Sequence, residues 1–184
     1  MDAIRSAKEK LRTKIQSVLK NKKEEELSEK SRSVMNALFR NRLFKRAKTV
    51  MFYLSISGEV DTSEMIKEAL RSGKKVVVPV CGEKRNIVPC TLKEDGTMLR
   101  GPYGILEPAL KTPVALKELD LIIVPGLAFD EKGGRLGRGK GYYDAFLAKL
   151  PTETRSIGLA YDFQVLPSVP TADHDVNVHK VIFA

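Results

Sequence analysis

The chain has 184 residues, 42% of them hydrophobic, and a formal net charge of +9, which suits one folded domain with a substantial core. No run of 18 or more apolar residues occurs and the first residues are charged, so we expect a cytoplasmic protein with neither a membrane span nor a signal peptide. The two cysteines, Cys81 and Cys90, fit no CxxC pattern or disulfide framework, and with two histidines in the chain a zinc site is not expected.

The excess of positive charge lies in residues 1–48, which hold 15 Lys or Arg and 6 Asp or Glu, whereas the remainder is neutral. Such a region is typical of a nucleic acid-binding surface, of a collar that attracts polyanionic small molecules, or of a solvated helical face. Composition does not choose among the three. Base stacking is disfavoured, because the aromatic residues of this region are Phe39 and Phe44, and helix packing explains both.

Residues 2–20 are predicted to form an amphipathic helix, because apolar residues recur at steps of three and four. Lys8 and Arg12 are four residues apart, so their side chains project side by side, either as a phosphate clamp or as two solvated charges. A second helix is predicted from about Glu24 to Arg42. The predicted apolar stripes are Ile4, Ala7, Leu11, Ile15 and Val18 in the first helix, and Leu27, Val34 and Leu38 in the second.

Residues 50–54 form the first predicted strand, and residues 55–61, which we name the Glu59 loop, follow its carboxyl end. Ligands bind at that edge in open α/β sheets. Asp61 and Glu64 have the spacing of a capping box for a helix that runs to Arg71. Glu59 has no evident structural duty, so it is either a site residue or an exposed loop acid.

Residues 75–79 are predicted as the next strand. Residues 86–92 and 97–100 flank Asp95-Gly96, a hairpin signal that predicts an antiparallel edge on an otherwise parallel sheet. Tyr103, in the loop that follows, is either a core residue or a stacking platform for a flat ligand.

Residues 121–124 predict a fully buried strand, and the glycine-rich loop that follows it, residues 133–141, contains Arg135, Arg138 and Lys140. A helix is predicted from Tyr142. Backbone N–H groups, a helix N-terminus and three cations together predict an anion cradle.

Residues 134–140 match a Walker A loop up to its last position, where Gly141 replaces the Ser or Thr that binds magnesium. The metal ligand must therefore come from elsewhere, and Asp144 is the nearest candidate. Asp175, in the loop before the last strand, is either a second ligand or a turn residue.

Further strands are predicted at residues 155–161 and 176–183. We therefore predict a single α/β domain over residues 1–184, with a basic helical region at 1–48 and an α/β core at 49–184. The expected architecture has three layers: a mostly parallel central sheet with an antiparallel hairpin edge, and helices on both faces.

Residues 126–147 (GLAFDEKGGRLGRGKGYYDAFL) closely resemble the signature of the 5-formyltetrahydrofolate cyclo-ligase, or methenyltetrahydrofolate synthetase, family. Residues 8–12, 57–62, 103–108 and 173–175 are similar to that family's landmarks, in the same order. The resemblance covers essentially the whole chain, and implies a fold similar to those of sugar-phosphate isomerases and CoA transferases.

The activity that the resemblance implies is conversion of 5-formyltetrahydrofolate to 5,10-methenyltetrahydrofolate, dependent on ATP and Mg²⁺, with release of ADP and phosphate. Phosphorylation of the formyl oxygen makes it a good leaving group, and the folate N10 closes the ring. Such chemistry needs positioning and charge neutralisation more than a covalent nucleophile.

The resemblance also implies residue roles. Arg138 and Lys140 would lie closest to the transferred phosphoryl group, and Asp144 and Asp175 would hold Mg²⁺. Glu59 would bind the pterin, in a folate pocket lined by Leu54 and Tyr103. The implied ATP-binding residues are Lys8, Glu9, Lys10, Leu11, Arg12, Arg135, Leu136, Gly137, Arg138, Gly139, Lys140, Gly141, Tyr142 and Tyr143.

Two alternatives stay open at this point. Another ATP-dependent small-molecule kinase or ligase would use the same cradle, and a nucleic acid-binding module would use residues 1–48. Under the main interpretation the partners are small molecules, with no nucleic acid and no membrane. We expect a monomer, with a weak homodimer as the alternative.

Overall fold

The computed structural model describes residues 2–82, 86–93, 95–101, 104 and 106–184. Over these residues the helices are α1 (Asp2–Lys20), α2 (Glu24–Arg40), α3 (Arg42–Arg46), α4 (Ser63–Arg71) and α5 (Tyr142–Leu147). The strands are β1 (Thr49–Met51), β2 (Lys75–Cys81), β3 (Ile87–Thr91), β4 (Met98–Arg100), β5 (Leu106–Pro108), β6 (Leu121–Val124), β7 (Ala128–Asp130), β8 (Arg135–Leu136), β9 (Arg155–Ala160), β10 (Val165–Leu166) and β11 (Lys180–Phe183). None of these helices has the length and apolarity needed to cross a membrane.

The central sheet has the strand order β11-β9-β6-β1-β2-β3. Its neighbouring strands run parallel, except that β3 pairs with β2 in the antiparallel direction. The apolar run of β6 is buried at every position, as predicted, because β1 and β9 flank it. The predicted α/β class with a mostly parallel sheet and an antiparallel edge is confirmed.

Helices cover both faces of this sheet, because successive side chains of each strand point to opposite faces. Val50 of β1 lies in a core with Val34 of α2 and Met65 of α4. The next residue, Met51, lies in a second core with Phe146 of α5. The three predicted layers therefore follow from the alternation within single strands.

Helix α1 packs on a second, smaller sheet with the order β10-β7-β8. Ile15 is 2% exposed and lies in one core with Leu136 and Val169, whereas Ile4 is 39% exposed. The prediction that Ile4 belongs to the buried stripe is wrong, because the small sheet covers only the middle and C-terminal turns of the helix. This position brings α1 beside the glycine-rich loop.

The predicted hairpin across Asp95-Gly96 is wrong. Strand β3 pairs with β2, and β4 pairs with β5 in a separate two-stranded sheet. The residues of β3 are mostly buried, whereas those of β4 are mostly exposed. Strand β3 therefore has an apolar face to add to the central sheet, and β4 does not.

Two predicted helix boundaries also differ from the structure. Helix α2 ends at Arg40, because Asn41 accepts a hydrogen bond from the Leu43 N–H at 2.9 Å and caps α3. The predicted capping box is wrong: α4 begins at Ser63, whose N–H donates to Asp61 at 3.0 Å, while Glu64 pairs with Lys67.

Phe129 of β7 fixes the small sheet against the large one. Its ring is fully buried and lies against two glycines. A Cβ atom would come within 2.4 Å of the ring at Gly158 of β9, and within 2.6 Å at Gly126. The two glycines leave space for the Phe129 ring. Through this packing, the small sheet and the glycine-rich loop that follows β7 lie against the edge of the central sheet.

We expect Gly158→Ala to lower the free energy of unfolding by about 1–3 kcal/mol, because the added methyl group overlaps the Phe129 ring. Phe129→Leu should also destabilise the fold, and the double variant should lose less than the sum of the two losses. Urea unfolding of the four proteins measures this coupling. Strictly additive losses would contradict the packing role of Gly158.

Candidate active site

The carboxyl ends of the parallel strands lie at one edge of the central sheet, and predicted site residues follow two of these strands, β1 and β6. The Glu59 loop follows β1, the segment beginning at Pro125 follows β6, and Tyr161 follows β9. Strand β6 lies between β1 and β9, so segments that are distant in sequence meet at this edge. We treat this edge as the candidate active site.

Asp130 shapes the entry to the glycine-rich loop. Its buried carboxylate accepts hydrogen bonds from the N–H groups of Lys132, Gly134 and Val169, at 3.0, 2.8 and 2.9 Å. Gly133 has a φ of +86°, and a Cβ atom there would lie 2.1 Å from a backbone oxygen. The predicted loop is thus a tight turn between β7 and β8 followed by an exposed segment, rather than one flexible stretch.

Arg138 joins the glycine-rich loop to the Glu59 loop. Its guanidinium donates to the Glu59 carboxylate at 3.2 Å and to the Ser57 carbonyl at 2.7 Å. The Glu59 side chain is only 8% exposed. Burial raises the pKa of Glu59 above its usual value, while the charge of Arg138 and a hydrogen bond from the Ile56 N–H oppose the shift. Glu59 is therefore no ordinary exposed loop acid.

Arg135 lies beneath the loop, unlike Arg138 and Lys140, which are exposed. Its side chain is 4% exposed and pairs with Asp144 of α5 at 2.7 Å. Arg135 Nε and Tyr143 Oη are buried and have no hydrogen-bond partner among the described residues. Buried donors of this kind suit an oxygen-rich ligand, since each donor without an acceptor costs about 1–3 kcal/mol.

Helix α1 contributes the predicted pair of cations. Arg12 donates to the Gly137 carbonyl at 2.9 Å and pairs with Glu9 at 2.8 Å. Lys8 pairs with Asp175, which also accepts from the Ala172 N–H at 2.6 Å. The structure therefore places Arg12 against the glycine-rich loop and Lys8 against the loop before β11.

Asp144 accepts a hydrogen bond at 3.3 Å from the N–H of Val176, the residue after Asp175, so it lies beside the segment that carries Asp175. One oxygen of each carboxylate accepts a hydrogen bond from a cation, Arg135 or Lys8, and the other oxygen of Asp175 lies 3.9 Å from His174 Nε2. The described residues contain no group of three or more His, Cys, Asp or Glu side chains that would hold a metal unaided. Mg²⁺ often takes one or two carboxylates together with phosphate oxygens, so this pair fits it.

The other predicted site residues lie around these contacts. Lys140 is exposed. Burial raises the pKa of the Cys81 thiol, and the charge of Lys140 opposes part of that rise. Leu54 is half-buried against the main core, and Leu11 against the small sheet. Lys10 is exposed on α1, whereas Tyr103 lies outside the described residues. Gly139, Gly141 and Tyr142 complete the segment that leads into α5, with Gly141 at its N-cap.

Sequence reasoning missed the buried polar residues that support the site. They are Asp130, Ser31, Tyr161 and Gln164, each less than 9% exposed. Asp130 has a local signal, since it stands four residues before Gly134 in a turn-like sequence. Ser31 and the Tyr161 hydroxyl have no local signal, because their partners are far away in the chain. Gln164 has one local partner, the Tyr161 N–H, but its contact with Gly58 is just as distant.

The chain matches known proteins over nearly its full length. A model of the 5-formyltetrahydrofolate cyclo-ligase family matches residues 4–184. The 5-formyltetrahydrofolate cyclo-ligase of Mus musculus is 31% identical over 196 residues, which cover 98% of this chain and 95% of the mouse protein. That of Escherichia coli strain K12 is 33% identical over 141 residues, which cover 74% and 78%.

Two solved structures are similar in fold. The NMR structure of Aquifex aeolicus 5,10-methenyltetrahydrofolate synthetase matches with a TM-score of 0.85 at 35% identity, over 96% of this chain and 89% of that one. The 5,10-methenyltetrahydrofolate synthetase of Mycoplasma pneumoniae matches with a TM-score of 0.77, over 95% and 97%. At 21% identity the second likeness concerns the fold alone.

We expect Asp130→Asn to loosen the turn before the glycine-rich loop. In the native protein both carboxylate oxygens accept backbone N–H groups, whereas the amide of Asn would place an NH₂ group against one of those N–H groups. The free energy of unfolding should fall by about 1–3 kcal/mol, and the Gly134 amide proton should exchange faster with solvent. Urea unfolding and hydrogen exchange measure the two effects. The neighbouring exposed Glu131, changed to Gln, is the control, and equal behaviour of both variants would contradict the role of Asp130.

Proposed function

The chain belongs to the 5-formyltetrahydrofolate cyclo-ligase family, and we propose that it closes the 5,10-methenyltetrahydrofolate ring from 5-formyltetrahydrofolate at the candidate site, with ATP as co-substrate and Mg²⁺ as cofactor. The observation that supports placing the reaction at this site is that α1, the glycine-rich loop and the Glu59 loop meet there. Arg12 contacts Gly137, and Arg138 contacts Glu59. The predicted phosphate cradle and the predicted pterin-binding carboxylate are thereby adjacent.

In this proposal the phosphates of ATP bind between α1 and the glycine-rich loop. Lys8 and Arg12 approach from the helix, and Arg138 and Lys140 from the loop. Arginine presents five N–H donors in a planar fork, so Arg138 is suited to a phosphate. The buried Arg135 supports this proposal indirectly, since it holds Asp144 at the start of α5.

Binding of ATP would exchange partners within the site. Lys8, Arg135 and Arg138 each pair with a carboxylate that is itself assigned to a ligand. When a phosphate takes Arg138, the Glu59 carboxylate is left to accept N–H groups of the pterin ring. Since Glu59 is largely buried, it needs such a replacement partner to keep its charge.

Asp144 and Asp175 would hold Mg²⁺, which would supply neutralisation of the negative charge on the phosphates of ATP. Lys8 and Arg135 flank the two carboxylates on the protein side. The N–H of Val176 orients Asp144 toward the same place.

The proposed reaction has two steps, transfer of a phosphoryl group and closure of the ring. The formyl oxygen attacks the γ-phosphorus of ATP, the bond from that phosphorus to the bridging oxygen breaks, and ADP leaves. The N10 nitrogen then attacks the formyl carbon and loses its proton, and the carbon–oxygen bond breaks to release phosphate. Arg138 and Lys140 stabilise the charge on the transferred phosphoryl group. Glu59 holds the pterin so that the formyl oxygen faces that group.

The basic N-terminal region supports the same proposal. Folates are acidic, so positive charge around the site attracts them. The contacts of Lys8 and Arg12 with the site favour the small-molecule role of this region over the nucleic acid-binding alternative. We further propose that residues 1–184 act as one domain in the cytoplasm, as a monomer.

The first test measures ADP and methenyltetrahydrofolate together, with ATP and Mg²⁺, in the presence and absence of 5-formyltetrahydrofolate. We expect both products to rise one for one, only with the folate, and to stop when a chelator removes the metal. Release of ADP without methenyl product would contradict the folate assignment. No release of ADP under any condition would contradict the ATP site.

We expect Asp144→Asn to lower turnover by about 100-fold, because it removes one charged ligand from the proposed Mg²⁺ site. The unfolding free energy should also fall, by about 1–3 kcal/mol, since Arg135 loses its charged partner. Steady-state kinetics and Mn²⁺ binding, followed by paramagnetic resonance with a non-hydrolysable ATP analogue, measure the first effect.

Asp173→Asn is the matched control, because Asp173 is an exposed acid two residues before Asp175. It should keep both turnover and Mn²⁺ binding. An Asp144→Asn variant with native turnover and native Mn²⁺ affinity would overturn the metal assignment.

A further inference from the structure

Four successive residues of the Glu59 loop each have a backbone group that is hydrogen-bonded by a buried side chain from outside the loop. Three carbonyls and one N–H are held in this way, by side chains that are themselves 6% exposed or less. The contacts are Gln164 Nε2 to Gly58 O at 3.2 Å, Tyr161 Oη to Glu59 O at 3.0 Å, Tyr53 Oη to Val60 O at 2.7 Å, and Asp61 N to Ser31 Oγ at 3.1 Å.

Ser31 and Tyr161 form a hydrogen-bond relay whose direction is determined. Tyr161 donates its one hydroxyl proton to the Glu59 carbonyl, so Ser31 must donate in the contact of 3.1 Å between the two hydroxyls. The Ser31 oxygen in turn accepts from the Asp61 N–H. The relay therefore begins and ends on the Glu59 loop.

Burial strengthens this relay. Ser31 is 6% exposed and Tyr161 is 2% exposed, so water does not compete for their hydroxyl groups. Burial also raises the pKa of Tyr161, which keeps the proton that it donates. Removal of either hydroxyl would leave a buried polar group without its partner.

Gln164 adds a second fastening from the same end of β9. It is fully buried, and its amide oxygen accepts from the Tyr161 N–H at 2.9 Å while its amide nitrogen donates to Gly58. Both ends of the amide are thus in use, which determines its orientation. Gly58 has a φ of +87°, so the loop turns sharply at the point where this amide holds it.

None of the side chains of Ser31, Tyr161 and Gln164 is placed to touch the reacting groups. Ser31 belongs to α2, and the Tyr161 ring stacks on Phe163, with 5.4 Å between ring centroids. A loop that only connects β1 to α4 does not need four buried fastenings. The carboxylate that this loop carries, that of Glu59, is the group whose position they fix.

We propose that Ser31, Tyr161 and Gln164 are positioning residues that hold Glu59 in place for the pterin ring of the folate substrate. This inference rests on the proposed function, in which Glu59 binds that ring. It gives α2, which is part of the basic N-terminal region, a role that depends on a buried hydroxyl group rather than on the charge of the helix.

Ser31→Ala and Tyr161→Phe each interrupt the relay without reaching the ATP site. We expect the KM and the Kd for 5-formyltetrahydrofolate to rise about 3- to 10-fold, which corresponds to one net hydrogen bond. The KM for ATP and the kcat at saturating folate should change less than about 2-fold, a split that general loss of structure would not produce. Steady-state kinetics and calorimetric titration of the folate measure these values.

Two further variants of α2 sharpen the test. Ser31→Thr keeps the hydroxyl group and should restore a near-native KM for the folate. Ser33→Ala is the matched control, because Ser33 is exposed on the same helix and donates only to the Glu29 carbonyl. It should leave all constants unchanged.

The outcomes separate this inference from the proposed function. A native protein that forms no methenyltetrahydrofolate would overturn the proposed function and, with it, this role. An active native protein whose Ser31→Ala and Tyr161→Phe variants keep the native KM for the folate would overturn the positioning role alone. Equal rises in the KM for ATP and for the folate would overturn it as well.

Discussion

Partly buried charges must be paired, and three ion pairs satisfy this constraint where the site elements meet. Lys8 with Asp175 joins α1 to the loop before β11, and Arg135 with Asp144 joins β8 to α5. Arg138 with Glu59 joins the two loops that face each other across the site. The charges assigned to ligands are therefore the same charges that hold the site together without them.

This arrangement links binding to structure. Under the proposed function, a phosphate or a metal ion that enters the site would compete with an existing ion pair, so each ligand would replace one interaction and form another. The Asp130 turn and the fastenings of the Glu59 loop keep both loops in place through backbone contacts, which do not depend on the ion pairs.

Prediction from sequence succeeded where the signal is local and failed where the partner is distant. The i, i+4 spacing of Lys8 and Arg12 predicted neighbouring side chains, and these contact Asp175 and the Gly137 carbonyl, whereas their binding of phosphate stays a prediction. The apolar step pattern of α1 included Ile4, which is exposed, because a pattern does not say how much of a helix its partner covers. Asp95-Gly96 indicated a hairpin, but β3 pairs with β2 at the antiparallel edge of the central sheet, because β3 has apolar surface to bury and β4 has little.

The sequence by itself determined the family and the α/β class, because these depend on residue types at short spacings, and on the same ground it predicts an anion cradle in the glycine-rich loop. The tertiary structure alone decided that Arg135 lies buried against Asp144 while Arg138 reaches Glu59, although the two arginines stand three residues apart in one loop. It also decided that Ser31 supports a loop 30 residues away. Burial and long-range hydrogen bonding depend on which segments the folded chain brings together, and no local pattern of residues records that.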